Sequence, residues 1–202
     1  MRRRSTALRA VGVLIIVVGT GCTRSASPVG APSASTEPSA TPPVVLGCDD
    51  AAKTYTSEPA ATDLVFAGAR FTRLTDPAGG GSSVRAAVDA GLDLPPSMSD
   101  WQFRKAPVEL AAGGPPVTVR LDADVEGAAL AWVPFQAWTS GTRPDLTARL
   151  ATTVTFQGCP DRPVLYLGGL LAASGATCLP LVLSAAGEEQ RVVRRLDGAS
   201  CA

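Results

Sequence analysis

Five cysteines and three closely spaced acids are the residues of this chain whose types could do chemistry. The cysteines are Cys22, Cys48, Cys159, Cys178 and Cys201, and the acids alternate in Asp122-Ala-Asp124-Val-Glu126. A thiol can be acylated, oxidised to a disulfide or bound to a metal, and a pair of carboxylates can act as acid and base. Histidine is absent from all 202 residues. Its absence removes the commonest general base and every Ser-His or Cys-His nucleophile pair.

The three acids begin like a calcium-binding loop, with Gly127 in the sixth position. The twelfth position, where an EF-hand requires Glu, is Val133. We therefore interpret residues 122–127 as a solvated turn after a strand. The competing hypothesis is a carboxylate-dependent extracytoplasmic hydrolase such as a glycosidase, which would need Asp122, Asp124 and Glu126 to face another acid across a cleft. We expect no catalytic residue, no metal site and no cofactor.

Cys22 ends an N-terminal segment that has the order of an export signal. Arg2, Arg3, Arg4 and Arg9 are followed by an apolar run over residues 10–18 and then by Gly19-Thr20-Gly21-Cys22. The run is shorter than the ~20 residues of a membrane-spanning helix. With Gly21-Cys22 at its end, the segment resembles the bacterial lipoprotein signal. The resemblance implies cleavage before Cys22, a lipid on its thiol and a position on the extracytoplasmic side of the cell membrane. Secretion and an uncut anchor are the alternatives.

Three segments follow from composition: a signal peptide over residues 1–21, a tether over 22–46 and a folded domain over 47–202. Residues 23–43 are almost entirely Ser, Ala, Pro, Thr and Gly without apolar periodicity, so we expect disorder. Loss of the four signal arginines would leave 14 of the 18 basic residues against 18 acids, a net charge of −4. With no basic patch, we expect no nucleic-acid partner. The expected partners are the membrane, through the lipid, and an envelope protein or glycan.

Strand signals dominate the folded domain. Residues 117–122 alternate, with Val117, Val119 and Leu121 on one side of a strand. Further strands are predicted over residues 63–74, 130–138, 150–157, 163–168, 178–184 and 190–196, with 130–138 apolar on both faces as in a central strand. Short helical turns are predicted near residues 48–56 and 83–90. Short strands separated by Gly and Pro turns predict a mainly β fold, an antiparallel β-sandwich that is loosely immunoglobulin-like.

Four cysteines remain after Cys22, and an exported chain favours two disulfides. If the last four strands form a meander, Cys178 and Cys201 lie at the same end of the sheet, which leaves Cys48 for Cys159. A crossover between sheets would undo this argument. The pairing of Cys159 with Cys178 and of Cys48 with Cys201 therefore stays open.

Two surface hypotheses concern aromatic and charged residues. Most of the large aromatic side chains are predicted to lie in the core, although an exposed pair of tryptophans could stack on sugar rings. These residues are Trp101, Phe103, Trp132, Phe135 and Trp138. A charged hairpin face, with solvated cross-strand pairs or a partner-binding surface, is predicted at Glu188, Glu189, Arg191, Arg194 and Arg195. Together, the patterns favour a non-enzymatic binding or structural β-domain carried by a membrane-anchored envelope lipoprotein.

Overall fold

The structure is a computed structural model that describes residues 42–52, 58–74, 82–83, 98, 100–122, 125–139, 150–196 and 201. These residues belong to the unit Ala40–Ala202. The expected signal peptide, Cys22 and nearly all of the expected tether lie outside the described residues. So do Asp124 and all but the first residue of the helical turn expected over 83–90.

Thirteen strands, one 3-10 turn and one short helix occur in the described part of the chain. The strands are β1 (Val44–Leu46), β2 (Leu64–Phe66), β3 (Ala69–Phe71), β4 (Ser82–Ser83), β5 (Gln102–Lys105), β6 (Val108–Leu110), β7 (Val117–Leu121), β8 (Ala128–Trp132), β9 (Thr153–Phe156), β10 (Val164–Tyr166), β11 (Gly168–Ala172), β12 (Cys178–Ala185) and β13 (Glu188–Arg195). The 3-10 turn is Cys48–Asp50, and the helix, α1, is Phe135–Thr139. The prediction of a mainly β domain is confirmed.

The largest sheet has five strands in the order β1-β9-β7-β12-β13. β1 lies parallel to β9, and the other neighbours are antiparallel. The alternation predicted for β7 determines which side is buried, because successive side chains of a strand point to opposite faces. Val117, Val119 and Leu121 lie in the core, whereas Thr118 and Arg120 are half-buried on the other side. The sheet therefore has one core face and one outward face.

Two four-stranded sheets, β10-β6-β3-β2 and β4-β5-β11-β8, share one bent ladder. β5 continues into β6 and β10 into β11 without a change of register, since Gly169 faces Lys105 and Tyr166 faces Val108. The bend falls where the two sheets meet, at Pro107 and Leu167; Pro107 has no N–H, and its carbonyl accepts the N–H of Thr72 from the β3 side. Next to the bend, the N–H of Ala106 donates to the Gly168 carbonyl at 2.9 Å.

The main core lies between the five-stranded sheet and the bent ladder. Its largest buried side chains include Trp132, Tyr166, Phe71 and Phe156, which come from all three sheets. The ring of Trp132 meets that of Phe156 edge-on at 5.3 Å between centroids, and Phe156 lies 5.2 Å from Tyr166. Such pairs add about 0.5–1.5 kcal/mol to the burial of the rings. This packing is consistent with a β-sandwich, and immunoglobulin likeness stays a prediction.

The strand predicted over residues 130–138 is wrong in its second half. β8 ends at Trp132, and α1 begins three residues later, after Pro134. Proline lacks the N–H that a strand needs and has the φ angle of a first helical turn, so it ends one element and starts the next. The pattern is apolar on both faces because β8 is covered on both sides. Leu130 and Trp132 face the main core, and Ala129 and Ala131 face a second cluster near α1.

The predicted boundary between tether and domain is also wrong, because the last three residues assigned to the tether form β1. Val44 and Leu46 pair in parallel with β9, and Leu46 is only 1% exposed. These residues are apolar and follow Pro42-Pro43, so the composition that predicts disorder ends before them. The folded domain therefore begins at β1.

The expected meander of the last strands is wrong, since β9 pairs with β1 and β7 whereas β10 pairs with β6. The run 63–74 is two strands rather than one, with a turn at Ala67-Gly68 where both residues have positive φ. The strands β5, β6 and β11 were not predicted. β5 and β6 have only four and three residues, too few for an alternating pattern to stand out, and β11 begins with Gly168-Gly169.

Candidate functional site

Most side chains on the outward side of the five-stranded sheet are polar; the exceptions are Val45, which is exposed, and Val182, which is buried. One row across all five strands consists of Val45, Thr155, Thr118, Ser184 and Glu189, which are direct neighbours in the ladder. The next row consists of Thr153, Arg120, Val182 and Arg191. We call these nine residues the outer face. Their positions follow from the alternation of β7, β9 and β12, whose other residues fill the core.

Hydroxyl groups lie side by side at the centre of the outer face. The Oγ1 atoms of Thr118 and Thr155 are 2.9 Å apart and hydrogen-bonded, and Ser184 is the next neighbour of Thr118. A hydroxyl can donate one hydrogen bond and accept two, so a bonded pair keeps capacity for a ligand. All three side chains are half-buried. The centre of the face can therefore both donate to and accept from a polar molecule placed on it.

A depression of about 390 Å³ lies at the end of this face, next to the turn between β12 and β13. It is lined by Pro116, Thr118, Ser184 and residues 185–189 of the turn and its flanks. Glu188 and Glu189 are exposed and place negative charge at its rim. An open, polar depression is unlike the enclosed, largely apolar pockets that bury small ligands. It suits contact with part of a larger polar molecule.

The acids singled out in the sequence do not form a cleft in the described residues. Asp122 forms an ion pair with Arg191, with 3.1 Å between Oδ2 and Nη1. Glu126 is exposed, and Asp124 lies outside the described residues. Two other acids do come together: Asp63 and Glu109 both contact the guanidinium of Arg70. No observation places a substrate between them.

The Arg70 cluster was missed in the sequence because its members come from separate elements. Asp63 precedes β2, Arg70 lies on β3, and Glu109 faces Arg70 directly from β6. Asp63 also accepts the N–H of Ala60 at 2.9 Å, so it holds the loop before β2. The cluster has the contacts of a structural ion-pair network. Only knowledge of the β3–β6 pairing could have revealed it.

The aromatic residues mostly take the core role that was predicted for them. Trp132 is fully buried and its Nε1 donates to the Ala106 carbonyl at 3.1 Å, and Phe103 belongs to the second cluster. Trp101 and Trp138 are partly buried against that cluster. Phe135 is half-buried at the start of α1. The described contacts do not assemble an exposed pair of tryptophans for sugar stacking.

The predicted charged hairpin forms, but one of its five residues, Arg194, is buried. Glu188, Glu189, Arg191 and Arg195 are exposed on β13, whereas Arg194 is only 3% exposed. Arg194 donates to the carbonyl of Arg73. It faces inward because it is the direct partner of the buried Leu179 on β12. The prediction of Arg194 as a surface charge is therefore wrong.

Two disulfides join Cys48 to Cys159 and Cys178 to Cys201. This is the pairing that the meander argument favoured, although the meander itself is wrong. The two strands that the meander placed last, β12 and β13, do form an antiparallel hairpin. The N–H of Leu196 donates to the Thr177 carbonyl at 2.8 Å, which brings the chain end beside Cys178.

Tyr166 connects the segments around the Cys48–Cys159 disulfide to the core. Its hydroxyl lies 3.1 Å from the carbonyl oxygen of Gly47 and is also hydrogen-bonded to the carbonyl of Gln157. Those residues lie next to Cys48 and two positions before Cys159. Burial, followed by the nearby charge of Asp50, raises the pKa of Tyr166 to about 12, although the hydrogen bond with Gln157 lowers it. The tyrosine is therefore a neutral hydrogen-bonding group at neutral pH.

Within the described ranges, no helix is long and apolar enough to cross a bilayer. The same ranges contain no group of three or more Cys, Asp and Glu placed to hold a metal ion. Comparisons with family models, curated proteins and solved structures found no match. The outer face is therefore the candidate functional site on its geometry alone.

Proposed function

We propose that this protein is a membrane-anchored lipoprotein of the cell envelope whose β-domain is a non-enzymatic binding module. The lipid would sit on Cys22, and the outer face would hold the ligand. The anchor is supported by the arginine-led apolar segment that ends in Gly21-Cys22. The binding role is supported by one observation, the row of hydroxyls beside an open polar depression.

The chemistry of the outer face favours a glycan strand as the ligand. Thr118, Thr155 and Ser184 offer hydroxyl donors and acceptors, and Arg120 lies in the adjacent row. A sugar polymer presents many hydroxyls of its own and can lie along a flat sheet. Most of its hydrogen bonds with the face would be neutral ones, each with a net contribution of about 0.5–1.5 kcal/mol. Affinity would then come from several such contacts together.

Removal of hydroxyls without a change of shape tests the binding role. The double variant Thr118→Val, Thr155→Val keeps β-branched side chains and deletes both hydroxyls. We expect the full-length protein, solubilised from its membrane, to lose about tenfold or more in co-sedimentation with insoluble envelope glycan. Thr72→Val, which makes the same change after β3, is the matched control. Equal binding by wild type, double variant and control would refute the role of the outer face.

A labelling experiment tests the anchor separately. Cells fed a palmitate analogue should label the wild-type protein and leave Cys22→Ser unlabelled. Because the lipid and the outer face are distinct features, failure of one experiment leaves the other informative. Equal labelling of wild type and Cys22→Ser would overturn the lipoprotein assignment.

A further inference from the structure

β13 ends the five-stranded sheet with its outer edge unpaired in the described structure. Its eight residues lie opposite eight residues of β12 on one side, and no other described strand pairs with it. The β12–β13 turn is Ala186-Gly187, whose positive φ angles fit the two-residue type I′ hairpin. In such a hairpin the residues that flank the turn, Ala185 and Glu188, form a hydrogen-bonded pair. The pattern then repeats at every second residue.

This alternation tells which backbone groups face outward. Glu188, Gln190, Val192 and Arg194 bond to β12, and the bond from Leu196 N–H to Thr177 continues the same series. The N–H and C=O groups of the intervening residues must therefore point away from β12. Those residues are Glu189, Arg191, Val193 and Arg195, and all four are exposed. They form a row of available donors and acceptors along the edge.

The edge is guarded against pairing by charge and not by its backbone. Natural edge strands are guarded by proline, bulges, very short strands or charged side chains, including ones that point inward as Arg194 does. β13 contains neither proline nor lysine, and its eight residues face eight residues of β12 in unbroken register. The Cys178–Cys201 disulfide holds the chain just beyond the strand. The edge is therefore regular and fixed before any partner arrives.

Charge along β13 is arranged so that the strand complements itself. Its first two residues, Glu188 and Glu189, are exposed, and so is its last residue, Arg195, whereas Arg194 is buried. When two copies of a strand run antiparallel, the start of each lies beside the end of the other. The acidic end of one copy then meets the basic end of the second, as cross-strand pairs prefer.

We propose that two copies of this chain associate through β13, antiparallel and with Val192 opposite Val192 of the second copy. In this register the backbone N–H and C=O groups of Glu189 lie opposite those of Arg195 of the second copy. The two-fold symmetry gives a second, identical pair. A register centred on Arg191 would instead place two Arg191 side chains face to face. One centred on Val193 would place Arg191 against Arg195 twice. A register centred on Gln190 would also place Glu189 against Arg191 twice, but it would pair only residues 188–192, and Arg191 already contacts Asp122. Charge and the length of the pairing together select the Val192 register.

The resulting dimer is a closed, two-fold assembly in which the two five-stranded sheets form one continuous sheet. Both outer faces lie on the same side of it, because the strand pairing preserves the alternation of side chains. The proposal does not depend on lipidation or on a glycan ligand.

Charge reversal tests the register in the mature full-length protein, purified in detergent and studied by sedimentation. Glu189→Arg and Arg195→Glu should each weaken dimerisation about tenfold or more, because each change creates two like-charge pairs. The double variant Glu189→Arg, Arg195→Glu should restore dimerisation to within about threefold of wild type. A monomeric wild type, single variants that dimerise like wild type, or a double variant no better than the singles would overturn the proposal.

Cross-linking in intact cells provides a second test that does not use detergent. Residues at the centre of the register form a non-hydrogen-bonded pair with Cα atoms about 4.5 Å apart, which is within disulfide range. Val192→Cys should therefore give an oxidised dimer. Val45→Cys, on the opposite edge strand β1, is the control and should give none. Absence of the Val192→Cys dimer, or equal cross-linking of both variants, would refute the pairing.

Discussion

Tyr166 joins two distant parts of the chain through one hydroxyl. The side chain is fully buried, and the carbonyls that it contacts belong to Gly47 at the start of the domain and Gln157 at the end of β9. The hydroxyl has a single proton for these two acceptors, and the Gly47 carbonyl also accepts the N–H of Asp50 at 3.0 Å. A buried carbonyl without a donor costs free energy, so the hydroxyl stabilises the segment after β9. It also gives the domain a titratable group in its core.

The first prediction concerns Tyr166→Phe. The change keeps the ring and deletes the hydroxyl, so at pH 8 we expect the free energy of unfolding of the full-length protein to fall by about 1–3 kcal/mol. The wild type should also lose stability above pH 10. The raised pKa keeps the proton on Tyr166 in the folded state, whereas the unfolded chain releases it at the ordinary pKa of 10.0. The contribution of Tyr166 to the free energy of unfolding is therefore complete below pH 10 and is lost as the pH rises towards about 12.

Urea unfolding at pH 8 and at pH 11 measures both effects. Between pH 10 and pH 12 the free energy of unfolding of the wild type should fall by up to about 1.4 kcal/mol per pH unit because of Tyr166. Tyr166→Phe should lack this part of the pH dependence. The variant is the control for other groups that titrate above pH 10, since it retains all of them. Parallel pH dependences for the two proteins would contradict the assignment.

Gly169 allows the closest approach between strands in the bent ladder. A Cβ atom at this position would lie 1.9 Å from the carbonyl oxygen of Arg104 on the paired strand β5. No side-chain rotation can relieve that overlap, because both atoms belong to or adjoin the backbone. The ladder must therefore separate if any other residue is placed there.

The second prediction is that Gly169→Ala lowers the free energy of unfolding by about 1–3 kcal/mol or more. Gly47→Ala is the matched control, because its Cβ would meet nothing closer than 3.8 Å and its φ of −90° suits any residue. Chemical denaturation of the three full-length proteins gives the comparison. A neutral Gly169→Ala would mean that β5 and β11 are not packed as described.

At the scale of elements, local alternation predicted the strands that face a single core and failed where pairing is long-range. β7 and β9 bury every second residue, as their sequences indicate. β8 is covered by a different cluster on each side, and its length is set by Pro134 rather than by its apolar pattern. The bent ladder joins strands about 60 residues apart, from Gly169 to Lys105, and no local pattern carries that information.

The candidate site likewise has one feature that the sequence could predict and one that it could not. The side of the sheet on which Thr118 and Thr155 lie could be read from the alternation in each strand. Their contact could not, because it depends on the register between β7 and β9. The first disulfide likewise joins cysteines 111 residues apart, which sequence spacing alone cannot pair.

The third prediction is that the Cys178–Cys201 disulfide acts mainly on β13. It closes a loop with a sequence separation of 23, and such a cross-link contributes about 3 kcal/mol by restricting the unfolded chain. Because Cys201 lies beyond the last strand, loss of the bond should let that end fray. In Cys178→Ser, Cys201→Ser, amide exchange across residues 190–196 should rise about a hundredfold, with a smaller rise in β7 and β9.

Hydrogen exchange of the full-length protein measures this difference strand by strand. The double variant Cys48→Ser, Cys159→Ser is the control, since its cross-link lies at β1 and the end of β9. It should accelerate exchange near those strands more than in β13. The same loss of protection in every strand of both variants would show that neither disulfide has a local role.

At the scale of the whole molecule, the proposed lipid and the β-domain are separated by residues 23–43. Their composition predicts a chain that cannot bury enough apolar surface to order itself. A flexible connection would let the outer face, and a second copy paired through β13, meet ligands at varying distances from the bilayer. The reach of the domain would then depend on the length of this connection and on its proline content, because proline extends and stiffens a chain.

The fourth prediction is that limited proteolysis of the full-length protein removes residues 23–43 and stops at β1. Val44–Leu46 is paired with β9, and Leu46 is buried, so a protease cannot open this strand without opening the sheet. Sequencing of the resistant fragment should therefore give an N-terminus at or before Val44, whereas the sequence alone would have placed it near Gly47. Leu46→Asp provides the control, because a buried charge should release β1 and move the boundary towards Cys48. A wild-type fragment that begins after Leu46 would contradict the pairing of β1, and resistance of residues 23–43 would contradict the flexible connection.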